Sequence, residues 1–364
     1  MRIARAAAER IIEGNPAGAL QSLPLTVLSF LYGQVTALRN RLYDRNMLSS
    51  NRLPATVVSV GNLSAGGTGK TPLAIMIARV LQNRGRRTAV LTRGYRSRTR
   101  KDVTVVSDGS TLMVDTDSAG DEAVLLAASL PGVPVLVGRR RSVTGRYALE
   151  MFGAEVLILD DGFQHRSLAR DLDIVLMDRE RPLGNGYLLP RGMLREPPES
   201  LKRAQMVVLT GTADSPGNST FRNFLTTHFP GLAVVDADRL PIDFLEYPSG
   251  LHYPLTYAAG KRIVAVAGVG APRHFKKMIE NLRPETVDFL LYPDHHRYTK
   301  EDVETIGAAA RKIDADIIVA TEKDGTKLKA YTDCLRGFYL LRMDMILRKG
   351  QDLFLEKLRT FTEQ

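Results

Sequence analysis

Val57-Val58-Ser59-Val60-Gly61-Asn62-Leu63-Ser64-Ala65-Gly66-Gly67-Thr68-Gly69-Lys70-Thr71 decides the fold of this 364-residue chain. A β-branched run leads into a small, glycine-rich turn, and Pro72 then opens a helical pattern through Leu73, Ile77, Ala78 and Leu81. Proline suits the first turn of a helix, where the N–H it lacks has no partner to lose. Strand, glycine-rich turn and helix in this order make a P-loop. Its backbone N–H groups turn inward around phosphate oxygens at the positive end of a helix dipole. Lys70 is placed to reach the terminal phosphates and the Thr71 hydroxyl to hold magnesium. The stretch therefore implies a bound nucleoside triphosphate, cradled by Ser64, Ala65, Gly66, Gly67, Thr68, Gly69, Lys70 and Thr71.

The common spacing of this motif wants a glycine where Ser64 stands. The remainder, Gly66-Gly67-Thr68-Gly69-Lys70-Thr71, resembles the loop of P-loop ATPases related to nitrogenase iron protein and MinD. Those often carry a second lysine at the position of Ala65 here.

Working outward, Val156-Leu157-Ile158-Leu159-Asp160-Asp161 is an apolar run ending in paired carboxylates. In a P-loop protein such a strand sits in the sheet and brings a carboxylate to the magnesium held by Thr71. Asp160 and Asp161 are the candidates. Other short β-branched runs lie at Thr88–Thr92, Val133–Val137, Ile174–Met177 and Val207–Thr210, with helical patterns between them. That alternation predicts a doubly wound parallel α/β sheet. Arg93-Gly94-Tyr95-Arg96 follows one strand and Gly138-Arg139-Arg140-Arg141 another, at the strand ends where open α/β sheets bind ligands. Arginines there read as anion clamps or as a solvated charge run. Asp121 and Glu122 open a helix, and by themselves need only complement its dipole. The Gly- and Pro-rich stretch 183–198 is too irregular for a regular element, and long ordered loops in such domains are usually functional.

A proline- and glycine-spaced region, 241–260, precedes a second, smaller α/β pattern. The expected division is 1–52 as an amphipathic region, 53–240 as the P-loop domain, and 241–364 as a C-terminal domain that closes over the site. In that last domain Gly268-Val269-Gly270 is a lone G-x-G, weak as a second nucleotide site. Thr321-Glu322-Lys323-Asp324 has the wrong spacing for a base-reading GTPase motif. The paired His295 and His296 point in different directions and rarely chelate one metal without further ligands, so core or surface histidines are the default reading.

The chain carries a formal charge of +10, which points to an anionic partner: nucleotide, nucleic acid or acidic membrane surface. Trp is absent and basic residues do not interleave with aromatics, which argues against nucleic acid. One cysteine, Cys334, excludes an internal disulfide and a cysteine-based zinc cluster, and fits a reducing compartment. Residues 1–52 hold seven arginines and three acidic residues. Leu20, Leu23, Val27, Phe30, Leu31, Val35 and Leu38 recur at helical spacing, with Ser22, Thr26, Ser29, Gly33 and Thr36 on another face. The apolar run is too short to cross a bilayer. Two readings stand side by side: a helix lying in a membrane interface, or one docked on its own domain. A cleaved signal peptide is disfavoured, because no small-residue cleavage site follows.

Taken together, the blocks Ser59–Thr71, Arg93-Gly94-Tyr95, Gly120-Asp121-Glu122, Asp160-Asp161-Gly162-Phe163-Gln164-His165, Leu189-Pro190 with Leu194-Arg195-Glu196, Asp294-His295-His296 and Thr321-Glu322-Lys323-Asp324 resemble the lipid A 4′-kinase (tetraacyldisaccharide 4′-kinase) family through most of the chain. The resemblance implies transfer of the γ-phosphate of ATP, with Mg2+, to the 4′-hydroxyl of a tetraacylated disaccharide 1-phosphate. It implies a peripheral, monotopic place on the cytoplasmic face of the bacterial inner membrane, with no nucleic acid and no obligate protein partner. It makes Asp121 the general base, one of His295 and His296, with His295 favoured, the residue that orients it, and Lys70 the phosphate-holding cation. Substrate contacts are expected from Asn62, Tyr95, Glu122, Arg141, Gln164 and Arg195, with Arg141 or Arg195 neutralising the transferring phosphoryl or the 1-phosphate. The alternative is a MinD-like membrane-associated ATPase that switches a protein partner.

Overall fold

The computed structural model describes residues 19–66, 69–94, 101–114, 116–211, 218–269, 272–294 and 296–363. Among the described residues the first elements are helix α1 (Ala19–Asp44), strand β1 (Thr56–Asn62), helix α2 (Lys70–Asn83), β2 (Thr88–Thr92) and β3 (Thr104–Ser107). It continues with α3 (Thr116–Ala119), α4 (Asp121–Ser129), β4 (Val135–Val137), α5 (Arg141–Phe152), β5 (Val156–Asp160), β6 (Leu172–Asp178) and β7 (Met206–Thr210). Next come α6 (Asn218–His228), β8 (Ala233–Tyr247), β9 (His252–Tyr253), β10 (Arg262–Ala267), α7 (Pro272–Asn281) and β11 (Thr286–Leu291). The last elements are α8 (Lys300–Lys312), β12 (Ile317–Thr321), α9 (Glu322–Leu328), β13 (Phe338–Lys349) and α10 (Gln351–Thr362).

The described chain divides into two compact units. The first takes the residues up to Arg93, Leu136–Asp238 and those from Ile346 onward; the second takes Gly94–Val135 and Arg239–Met345.

In the first unit the strands run β8-β7-β6-β1-β5-β2, all parallel. The P-loop strand β1 sits between β5 and β6, so the acidic end of β5 emerges beside the glycine-rich turn. Helix α2 covers β1, β2 and β5 and turns Leu73, Ile77 and Leu81 inward at i, i+4 and i+8. Each is fully buried, a burial that stabilises by about 1.5–3 kcal/mol per side chain. On the other face Leu63, Phe163, Val175, Met177, Leu194, Val207 and Leu209 form a second cluster with Leu225 of α6. The doubly wound parallel sheet expected from the strand runs is therefore present.

The second unit repeats the plan on a smaller scale: β11-β10-β12-β13, again parallel. Strand β10 shows the period of two directly. Ile263, Ala265 and Ala267 face a cluster with Phe275 and Ile279 of α7, while Val264 and Val266 face one with Val303 and Ile306 of α8. Helix α8 starts at a capping box, in which Thr299 accepts from Asp302 N and the Asp302 side chain accepts from Thr299 N.

The units differ from the consecutive stretches expected. The crossover from first to second at 238/239 lies close to 240, but 94–135 groups with the second unit and the residues after 345 return to the first. Tertiary packing accounts for the first difference: α4 packs on α9, and Lys327 Nζ of α9 lies 2.7 Å from Asp121 Oδ2 of α4.

Candidate active site

The first unit assembles its polar groups where β1 and β5 end. Gly69, the residue before α2, takes φ 91°, a left-handed conformation that glycine adopts without a Cβ penalty. The Thr71 hydroxyl then donates to Asp160 Oδ2 at 3.1 Å, and Asp160 is buried at the last position of β5. Two hard oxygen donors face each other at a strand end, the donor set that suits magnesium beside a nucleotide.

Asp161 turns the other way. Its backbone is left-handed at φ 56°, a strained conformation for a residue with a side chain. The carboxylate meets Lys70 Nζ at 3.6 Å and accepts twice from Arg195, at 2.9 Å to each oxygen. Partial burial raises its pKa, and the Lys70 and Arg195 charges outweigh that, so it lies below the usual carboxylate range. Of the two expected magnesium ligands, Asp160 is thus the one brought to Thr71, while Asp161 holds two cations beside the phosphate loop. Gly162 follows because a Cβ there would lie 2.6 Å from Leu159 Cβ.

Arg141 does not stand at the surface as an anion clamp. It is almost wholly buried, donating to Gly138 O and, at 3.4 Å, to Asp160 O. Burial pulls its guanidinium down to about 10 against the opposing pull of Asp160 and Asp161, so it stays charged at neutral pH. The expectation of a substrate contact is corrected accordingly: Arg141 fixes the strand end that carries Asp160. Asn62 and Gln164 likewise hold the frame. Asn62 Nδ2 reaches Gly66 O at 3.4 Å, Gln164 Nε2 donates to Asn62 O at 3.0 Å, and Arg195 reaches Gln164 Oε1 at 3.4 Å.

The irregular loop is ordered against the P-loop. Arg195 N donates to Leu63 O at 2.7 Å and Ala65 N to Met193 O at 2.7 Å, with Ser64 bridged to Leu194. Arg195 therefore reaches Asp161 from a backbone tied to the P-loop itself.

Helix α1 resolves the two readings of the amino-terminal stretch in an unexpected way. It docks on its own domain through its polar face: Ser29, Thr36 and Asn40 are buried. Leu23, Val27, Phe30, Leu31, Val35 and Leu38 are exposed, Phe30 at 64%. Among the described residues no helix is long and apolar enough to cross a membrane.

In the second unit Asp121 opens α4 and pairs with Lys327, and both side chains are largely enclosed. Glu122 shares that first turn. His296 Nε2 lies 2.8 Å from Asp302 Oδ2 and its ring stacks on Tyr292, which accounts for it structurally. At the first glycine of the lone G-x-G, Gly268 N donates to Asp324 Oδ2 at 2.9 Å, and buried Asp324 also accepts from Thr321 Oγ1. Gly67, Thr68, Tyr95 and His295 lie outside the described residues. Lys327 was not singled out from sequence, and the polar stripe of α1 was seen there without being read as the docking face. Lys327 stands three residues beyond the Thr321-Glu322-Lys323-Asp324 block, and nothing in its spacing marks a partner 206 positions earlier.

Comparison with known proteins agrees in extent and fold. The sequence profile of the family described as "LpxK: Tetraacyldisaccharide-1-P 4′-kinase" matches residues 21–361. A tetraacyldisaccharide 4′-kinase of Syntrophus aciditrophicus (strain SB) is 47% identical over 315 residues, 84% of each chain. One from Anaeromyxobacter dehalogenans (strain 2CP-C) is 41% identical over 342 residues, 93% of this chain and 90% of that protein. A crystal structure of LpxK from Aquifex aeolicus in complex with ATP has a TM-score of 0.75 at 32% identity, covering 94% of this chain and 99% of that one.

Proposed function

The chain belongs to the tetraacyldisaccharide-1-P 4′-kinase family, and on that premise we propose that it transfers the γ-phosphate of ATP to the 4′-hydroxyl of a tetraacyldisaccharide 1-phosphate, giving the 1,4′-bisphosphorylated lipid A precursor. The single observation that carries the phosphoryl-transfer half is Thr71 on Asp160 with Lys70 beside Asp161, at the mouth of a P-loop. The family supplies the acceptor. A MinD-like partner-switching ATPase is not favoured, because the family match spans 21–361 and the relatives are named as kinases.

Phosphoryl transfer asks mainly for alignment and charge neutralisation. Lys70 and the N–H groups of the loop hold the β and γ phosphates. Thr71 and Asp160 would hold magnesium, which when bound supplies further neutralisation of those phosphates. Arg195, anchored on Asp161, presents a fixed positive charge beside Lys70 and neutralises charge on the transferring group. Asp121 takes the proton of the 4′-hydroxyl, and Lys327 fixes the carboxylate by its ion pair. In the same reading His295 orients Asp121, the role that the family resemblance gives it.

The exposed apolar stripe of α1 lies in the membrane interface, and the net charge of +10 draws the protein to the anionic cytoplasmic leaflet of the inner membrane. There the helix meets a substrate whose acyl chains stay in the bilayer.

The reaction is tested with γ-labelled ATP, magnesium and a tetraacyldisaccharide 1-phosphate in detergent. Label in the lipid supports the reading; free phosphate with unlabelled lipid overturns it. Asp121→Asn separates the roles: lost transfer with retained ATP binding is expected of a base, and retained transfer returns Asp121 to helix capping.

A further inference from the structure

Helix α1 makes its docking contacts with two loops that carry working parts of the site. Ser29 Oγ donates to Leu188 O at 2.8 Å and Tyr32 OH to Arg195 O at 2.9 Å. Arg39 donates to Gln164 O. Asn40 Nδ2 donates to Glu196 Oε2 at 2.8 Å, and that buried carboxylate also accepts from Arg203 at 2.9 Å. In return Arg166 donates to Asn40 O at 3.1 Å and to Asp44 at 2.7 Å. Gly33 lets the loop approach, since a Cβ there would sit 3.0 Å from Leu188 Cδ1.

Two of these acceptors are junctions. The backbone of Arg195 accepts from Tyr32 and donates to Leu63 of the P-loop, while its guanidinium grips Asp161. Gln164 accepts from Arg39 on its backbone, and its side chain bonds Asn62 O and meets Arg195. An apolar seam tolerates sliding, because its attraction has no direction. A seam of directional hydrogen bonds fixes register, and the groups it fixes here stand one bond from the residues around Lys70.

We infer that α1 is a positioning element of the kinase and not only its anchor: Tyr32 and Arg39, from the polar face, set Arg195 and Gln164 against Asp161 and the P-loop. The apolar face and the polar face of one helix thus have separate tasks, lipid contact and alignment. This rests on the reading of Asp161 and Arg195 as working parts of phosphoryl transfer.

The test compares the full-length double variant Tyr32→Phe/Arg39→Met, which keeps side-chain bulk, with Phe30→Ser/Val35→Ser. Vesicle flotation on phosphatidylcholine with phosphatidylglycerol is measured beside kcat and the KM for lipid. The polar-face variant is expected to float as the wild type does, with KM within about twofold and kcat lowered about tenfold or more, the signature of misalignment. Tyr32→Phe/Arg39→Lys, which restores a donor at position 39 only, should recover part of that loss, the remainder marking the Tyr32 hydroxyl. The apolar-face variant is expected to fail in flotation and to raise KM. Unchanged kcat in Tyr32→Phe/Arg39→Met, or a loss confined to KM, overturns the inference. Asp161→Asn separates the two levels: if it keeps full activity, the reading beneath has failed and the inference goes with it. If Asp161→Asn is inactive and the polar-face variant keeps its kcat, the inference alone has failed.

Discussion

Helix α2 turns Leu73, Ile77 and Leu81 into the sheet, whereas α1 turns Ser29, Tyr32, Arg39 and Asn40 to loops 162–167 and 183–196 and leaves Phe30, Val35 and Leu38 outside. Both helices have an apolar stripe at the same period. In α2 the stripe meets protein; in α1 it meets whatever surrounds the protein. A hydrophobic period shows that a helix has two faces, but which face the fold takes depends on what the other face is for.

The largest expected effect lies at the start of α2. Lys70→Ala removes the one side-chain cation that the loop offers the terminal phosphates, and loss of a single charge-stabilising donor of this kind costs about 10²–10³ in kcat. Its contacts are with Gly66 O and Asp161, both at the site and not in the core, so the unfolding midpoint should move little. Single-turnover transfer of labelled phosphate, with a denaturation curve beside it, checks both halves. A variant that loses stability together with activity would mean that the start of α2 is structural, as its interior is.

Stability should separate the two stripes next. Ile77→Ala deletes fully buried methyl groups against β1, β2 and β5, and is expected to cost about 3 kcal/mol, because the surrounding sheet cannot collapse into the cavity. Phe30→Ala removes a larger side chain from α1, yet in detergent-free buffer it should cost less than about 0.5 kcal/mol. Urea unfolding of the two variants decides it. Equal losses would mean that the α1 stripe is covered in solution, and the contrast would fall.

The same contrast marks how far the sequence could be read. The Val57–Thr71 stretch and the Val156–Asp161 run foretold β1, α2, β5 and the meeting of Thr71 with Asp160, because each is set by local pattern and by strand adjacency in a parallel sheet. The period of α1 was also visible. Its polarity was not, since Ser29, Gly33, Thr36 and Asn40 look like a solvated face until the loops that need their hydrogen bonds are in place. Arg141 misled for a related reason: in Gly138-Arg139-Arg140-Arg141 all three arginines look equivalent, and only the first turn of α5 sends the third beneath Asp160. The 94–135 segment joins the second unit through α4 on α9, a contact between residues two hundred positions apart that no local pattern encodes.

The smallest effect concerns pH, and it too distinguishes the helices. The buried residues of α2 include no titratable side chain. The α1 seam adjoins His165, next in sequence to the Gln164 that Arg39 holds. Burial lowers the His165 pKa, and the charges of Arg141, Arg170, Arg39 and Arg93 add to that, from 6.5 to about 4. The folded protein therefore keeps the imidazole neutral where the unfolded chain would protonate it. Unfolding takes up a proton in that window, so the contribution is complete above pH 6.5 and declines as the pH falls toward 4. The ring is partly solvated, which holds the effect to the order of 1 kcal/mol or less. Thermal midpoints of the wild type and His165→Gln between pH 7 and 4.5 should converge on acidification, the wild type falling more steeply. Parallel curves would show that this flank of the polar seam is as indifferent to pH as the apolar one under α2, and would leave alignment by hydrogen bonds as its only distinguishing property.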